Sequence, residues 1–231
     1  MHKTIGILGG MSPESTVAYY QYITRTYTER YGDYSYPEIL IYSVSFQTYV
    51  DWPRQGRWDL VALGLSEAAR VLQHAGADIL LIATNTMHIV FDEVAASVDV
   101  PMLSLLDAVA EEVRRRDIDT VGLLGTAFTM EHTFYPDALA EKGIAVLVPK
   151  PEGRQLVDDA IYQELVAGVI RNRSRDTFVR IIDELKARGA QGVILGCTEI
   201  PLLVSQEHVD LPLFDTTLLH ADAALRHAVE F

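Results

Sequence analysis

Eight short runs rich in Ile, Leu and Val punctuate this chain, and the stretches between them repeat apolar residues at helical spacing. The runs are Thr4–Leu8, Ile39–Val44, Asp78–Ala83, Pro101–Leu105, Thr120–Gly125, Ala145–Val148, Gly192–Gly196 and Pro212–Phe214. Stretches such as "WDLVALGLSEAARVLQHAG" and "SRDTFVRIIDELKARGA" place apolar residues at i, i+3, i+4 and i+7 and run into glycine, which marks amphipathic helices and their ends. Strands that are apolar throughout have both faces covered. Alternation with amphipathic helices therefore predicts an α/β protein built on parallel sheet.

The alternation also repeats itself. "IGILGGMSPEST" near the start resembles "VGLLGTAFTMEH" in the middle, each a strand, a Leu-Gly pair and a turn into a helix. The distance from Gly9 to Thr84 nearly equals that from Gly125 to Cys197. Two copies of one α/β unit are expected, as pseudo-symmetric three-layer lobes: residues 1–102 with 212–231, and residues 103–211. Ligands of open parallel sheets bind beyond the carboxyl ends of the strands, which places the expected active site in a cleft between the lobes.

With 231 residues the chain can bury a sizeable core, and 49% hydrophobic with 22% charged residues is ordinary for a soluble globular protein. The formal charge of −13 is less ordinary. It argues against nucleic acid or an anionic membrane as partner, since both demand clustered Lys and Arg. No run approaches the roughly 18 apolar residues of a membrane span, and the N-terminal apolar run meets glycine too early for a signal peptide. A cytoplasmic protein is expected. A single cysteine excludes an intramolecular disulfide.

That cysteine, Cys197, ends the strand "GVILG" and precedes Thr198-Glu199. A thiol at a helix N-terminus lies at the positive end of the helix dipole, so its pKa is expected to fall toward neutral, where it can act as base or nucleophile. The histidines that could assist it, His88, His132 and His220, lie in no Cys–His signature, and no His, Cys or Asp pair has metal-ligand spacing on one element. "GGMS" (Gly9 to Ser12) is a glycine turn in which Ser12 suits an N-cap and Pro13 the first helical position. Its amides could cradle a small anion, and "GTAFTME" and "TNT" (Thr84 to Thr86) are further turns of amides and hydroxyls at strand ends. Such neutral donors would bind a carboxylate despite the negative global charge.

At these motifs the sequence resembles the aspartate/glutamate racemases, within the wider group of hydantoin racemases, glutamate racemases, maleate isomerases and arylmalonate decarboxylases. "IGILGGMSPEST", "YSVSF", "ATNTMHIV", "LLGTAFTMEHTFY", "GAQGVILGCTEIPLL" and "PLFDTTLLHADAA" fall in family order over almost the full length. The resemblance implies two similar α/β lobes, a homodimer, no cofactor, and two cysteines flanking the substrate Cα, one removing and one returning the α-proton. The second-lobe cysteine falls on Cys197 and the first on Thr84, where this sequence departs from the commoner Cys-Asn-Thr. The Thr-Asn-Thr-Met-His form resembles racemases specific for L-aspartate and L-glutamate, biased in the enantiomer they accept. There Thr84 could only deliver a proton, backed by water or by His88.

By the same resemblance Met11, Asn85, Thr86, Thr126 and Thr198 hold the α-carboxylate and amino group. The distal carboxylate falls to the loop "DWPRQGRWD", to Arg54 first and Arg57 second. No basic residue lies between Arg154 and Arg171, where some members place a lysine. Two alternatives stand beside the racemase: a single-cysteine lyase like arylmalonate decarboxylase, and a non-catalytic amino-acid binder.

Overall fold

The computed structural model describes residues 2–229. All eight apolar runs are strands: β1 (Ile5–Gly9), β2 (Ile39–Ser43), β3 (Ile79–Ile82), β4 (Met102–Leu103), β5 (Thr120–Leu124), β6 (Ala145–Leu147), β7 (Gly192–Leu195) and β8 (Leu213–Asp215). The helices are α1 (Pro13–Tyr31), α2 (Phe46–Arg54), α3 (Trp58–His74), α4 (Phe91–Ala95), α5 (Leu105–Arg115), α6 (Ala127–Glu131), α7 (Phe134–Glu141), α8 (Pro151–Gln163), α9 (Asn172–Ala187) and α10 (Thr216–Val229). The long helices stop where a residue can turn left-handed: Gly32 (φ 76°) closes α1, and Gly76 (φ 100°) and Gly189 (φ 104°) follow α3 and α9.

The strands form two four-stranded sheets, ordered β2-β1-β3-β4 and β6-β5-β7-β8, and every pairing is parallel. The two orders are the same pattern four strands apart. The chain divides into two compact units, one comprising residues up to Ala108 and those from Thr217 onward, the other Val109–Thr216. One division falls within α5 and the other at the first step of α10. Because β8 bonds to β7, its residues belong with the second sheet, although the sequence reading grouped 212–231 with the first lobe. Likewise β4 pairs with β3, so Leu103 lies in the first sheet.

The central strands are apolar because both their faces are buried. Ile5, Ile7 and Ile79 pack with Tyr19 and Ile23 of α1 and Ala221 and Leu225 of α10, while Leu8, Leu80 and Ile82 pack with Val61 and Leu65 of α3. In the second unit Leu124, Val193 and Leu195 pack with Val157 and Ile161 of α8 and Phe178 and Ile181 of α9. A fully buried Leu or Ile of this kind contributes about 1.5–3 kcal/mol. No described helix is long and apolar enough to cross a membrane.

Candidate active site

The glycine turn after β1 is built tightly. A Cβ on Gly9 would lie 2.5 Å from the Thr16 side chain, and one on Gly10 2.5 Å from the Val44 carbonyl, with φ already at +89°. Only glycine fits either position. Ser12 caps α1, its hydroxyl accepting from the Ser15 amide at 3.4 Å, and Pro13 opens the helix. The Gly10 amide donates to Thr16 Oγ1 at 2.8 Å, so it is already used within the turn. The Met11 amide has no hydrogen-bond partner among the described residues, whereas the Met11 side chain is buried in the core beside Leu8 and Tyr49. Any ligand contact at Met11 is therefore through its backbone.

The turn after β5 is the counterpart. Gly125 packs against Thr129 and the Gly196 carbonyl, Thr126 N-caps α6 through the Thr129 amide at 3.3 Å, and Asp158 Oδ1 of α8 accepts from the Ala127 amide at 2.6 Å. The Thr126 amide, like that of Thr198, has no partner among the described residues.

Beyond β3 the chain passes Ala83 and Thr84 and enters a 3₁₀ turn, Thr86–Val90. Thr84 is partly exposed, and its hydroxyl has no hydrogen-bond partner among the described residues. Its backbone is held on both sides. The Thr84 amide donates to the Ile82 carbonyl at 2.9 Å, and the Thr84 carbonyl lies 2.8 Å from His88 Nδ1. Asn85 is buried, and its carbonyl accepts from the His88 amide at 3.0 Å.

His88 is not the proton relay that the sequence suggested. A carbonyl can only accept and an amide N–H only donate, so Nδ1 carries the proton toward Thr84 and Nε2 accepts from the Leu105 amide at 3.0 Å. Both ring nitrogens are committed to backbone. Burial, outweighing these hydrogen bonds, pushes the ring down to about 4, so it is neutral near pH 7. His220 is held similarly, between Tyr19 Oη at 2.8 Å and the Leu103 carbonyl at 2.9 Å; burial, and then neighbouring His88, push it down to about 3. His132, in the second unit, stacks on Phe128 with ring centroids 3.8 Å apart.

Beyond β7, Cys197 is partly buried and followed by a three-residue 3₁₀ turn, Ile200–Leu202, where the sequence suggested a helix N-terminus. Ile200, Leu203 and Val204 are all drawn into the core, and this short pinned segment offers no macrodipole to acidify the thiol. The expected fall in pKa is reversed. Burial first, then the charge of Glu199 and its hydrogen bond, raise the thiol well above its ordinary value. Sγ donates to Glu199 Oε2 at 3.0 Å, and Thr198 Oγ1 donates to the same oxygen at 2.7 Å. Spacing alone did not single out Glu199; the signal was a carboxylate two residues from the only cysteine, on a turn tight enough to fold back. With one cysteine in the chain, alkylation by iodoacetamide reads this thiol directly. Glu199→Gln removes the negative charge and should move the alkylation profile to lower pH; an unchanged profile would show that burial alone sets it.

The basic residues separate cleanly. Arg57 is locked to Asp59 by two bonds of 2.8 and 2.7 Å, Arg154 lies 3.3 Å from Glu131, and Arg171 pairs with Glu164 at 2.9 Å. Arg54 closes α2 and is exposed, with no ion-pair partner among the described residues. The segment expected as a loop is thus mostly helix, since Asp51–Arg54 belongs to α2 and Trp58 and Asp59 to α3. Among the described residues no group of three or more His, Cys, Asp or Glu side chains could hold a metal.

Comparison with known proteins gives this geometry a family. An Asp/Glu racemase candidate from Yersinia pestis has a crystal structure that is 43% identical, covering 99% of this chain and 100% of its own, with a TM-score of 0.94. An aspartate racemase homologue from Pyrococcus horikoshii OT3 is 40% identical over 99% of this chain and 100% of its own, with a TM-score of 0.87. The broad specificity amino-acid racemase RacX of Bacillus subtilis is 26% identical over 92% of each chain. The Asp/Glu/Hydantoin racemase profile matches residues 8–224, and the chain belongs to that family.

Proposed function

We propose that the protein racemises L-glutamate or L-aspartate without a cofactor, Cys197 serving one face of the substrate Cα and Thr84 the other. The observation that carries this reading is the equivalence of the two positions. Each stands two residues beyond the end of the third strand of its unit, Thr84 after Ile82 and Cys197 after Leu195, one with an unpartnered hydroxyl and one with a thiol.

Because the thiol rests protonated, Glu199 is its base. The S–H proton passes to Glu199 Oε2. Sulfur then takes the α-hydrogen as a proton, and the Cα–H electron pair moves into the substrate carboxylate. On the other face a proton from water passes through the Thr84 hydroxyl to Cα, and the hydroxide left is neutralised by the proton on Glu199. The free amides of Met11, Thr126 and Thr198, with Asn85 and Thr86, suit the α-carboxylate and amino group, where oriented donors offset the developing charge. Arg54, exposed at the end of α2 with no ion-pair partner among the described residues, suits the distal carboxylate.

Enantiomers have equal free energy, so kcat/KM must be the same in both directions. Bias toward the L-isomer can therefore appear only as matched differences in kcat and KM. Hydrogen exchange has no such constraint. In deuterated water L-glutamate should lose its α-hydrogen faster than D-glutamate appears, because Cys197 can return a deuteron to the face it serves. From D-glutamate, loss and inversion should run together. NMR of the α-hydrogen beside chiral chromatography reads both, and no exchange from either isomer of glutamate or aspartate would refute the reading. A thiol held protonated also suits an acid that delivers a proton after decarboxylation. Carbon dioxide released from an arylmalonate, with no amino-acid exchange, would favour that lyase.

A further inference from the structure

We propose that His88 is a positioning residue that aims the Thr84 hydroxyl, an inference that rests on the reading of Thr84 as a proton donor to Cα. The ring is a bracket between two backbone groups distant in sequence. Nδ1–H holds the Thr84 carbonyl at 2.8 Å, and Nε2 receives the Leu105 amide, the first residue of α5, at 3.0 Å. The bracket itself is fixed. His88 is 5% exposed, it lies parallel to Phe91 at 5.3 Å with an interplanar angle of 5°, and its own amide is bonded to the Asn85 carbonyl.

Those bonds settle the peptide plane that follows Thr84. The plane that precedes it is settled by Ser15 Oγ, which donates to the Ala83 carbonyl at 3.0 Å, and by the bond from the Thr84 amide to the Ile82 carbonyl at 2.9 Å. With both planes fixed, φ and ψ at Thr84 are fixed. A β-branched side chain has restricted χ1, so the hydroxyl direction follows from the backbone. The hydroxyl itself has no partner among the described residues to hold it. Its direction therefore depends on the backbone, and on the far side of that backbone His88 supplies the hydrogen bond.

A ring with both nitrogens occupied cannot pass a proton, so its effect on turnover must come through geometry. That effect is confined to one face of the substrate. Removing the Nδ1–H donor should leave exchange of the L-glutamate α-hydrogen through Cys197 intact and impair inversion through Thr84. The readout is the number of inversions per exchange for L-glutamate in deuterated water, a ratio that general loss of stability or of active enzyme does not move.

Two substitutions divide the bracket. His88→Asn keeps a donor in place of Nδ1–H and gives up the contact with Leu105. His88→Gln reaches toward Leu105 and gives up the donor at the Nδ1 position. We expect the ratio to hold within about threefold in His88→Asn and to fall about tenfold or more in His88→Gln, in keeping with the cost of a small misplacement of a reacting group. A His88→Gln enzyme with the wild-type ratio overturns the proposal. So does a His88→Asn enzyme whose ratio collapses, because ring bulk or the Leu105 contact would then be what matters; this arm stands even if the Gln variant does not fold. Thr84→Val in the same assay separates the two levels. A lowered ratio there with an unmoved one in His88→Gln rejects His88 alone, whereas an unmoved ratio in Thr84→Val rejects the reading of Thr84 and this inference with it.

Discussion

Cys197→Ser should lower racemisation of L-glutamate by about a thousandfold or more, within the range that a positioned acid or base contributes. Serine keeps the size of the side chain and can still hydrogen-bond Glu199, so the substitution tests acidity in place of packing. Glu199 already faces a thiol that burial and its own charge hold well above the usual range. A hydroxyl starts much less acidic still, and the same carboxylate cannot make it a useful base. Loss of inversion and loss of exchange at Cα should come together, because the first bond broken in L-glutamate is the Cα–H bond on the sulfur side. Circular dichroism checks that the fold survives. Exchange retained within about tenfold of wild type would remove Cys197 from the first step and shift attention to Glu199 acting directly.

Stability should fall steeply between pH 7.5 and pH 5, for a reason located at His88 and His220. Their folded values are about 4 and about 3, below the roughly 6.5 of an unfolded histidine. As pH drops through 6.5 the unfolded chain takes up protons that the folded chain refuses. The stability present above 6.5 is therefore lost progressively, until the folded rings themselves titrate. At pH 5 each ring costs about 2 kcal/mol and the two together about 4, a large part of the 5–15 kcal/mol typical of a folded domain. The groups around them do not reverse the sign. Asp107 favours the charged form of His88 only weakly against burial, Tyr19 holds His220, and the rings lie 5.8 Å apart, so protonating one opposes protonating the other. Relief of the −13 net charge on acidification acts in the opposite direction, so the sharper comparison is between variants. Urea midpoints at the two pH values should differ by about half as much in His220→Gln as in wild type. A wild-type midpoint that does not move would mean that the folded rings accept protons without unfolding.

The strands were legible because both faces of each central strand are buried, which writes continuous apolar runs into the sequence. The repeat was legible because a tight glycine turn admits few residues, as Gly9 and Gly125 show. Strand length was less so. Pro101–Leu105 reads as one apolar run, yet β4 is two residues long because α5 starts at Leu105. The chemistry of Cys197 was misread, since a strand followed by polar residues looks the same whether a helix or a 3₁₀ turn comes next. Burial of the thiol, and the fold-back of Glu199 onto Sγ, are what keep it protonated. His88 was visible as a residue, but the bond from its ring to the Thr84 carbonyl was not, nor was the one from the Leu105 amide, seventeen positions away, that fixes its tautomer. No periodicity encodes such a contact.

With matching strand orders, each unit also braces its own strand-end residue from within. The carbonyl of Thr84 is fastened by His88, four residues on, and the sulfur of Cys197 by Glu199, two residues on. Neither brace borrows a residue from the other unit. A substitution at one strand end can therefore change that side chain without disturbing the brace at the other. On the proposed reading, the two faces of the substrate would then be served by two half-reactions that can be adjusted separately.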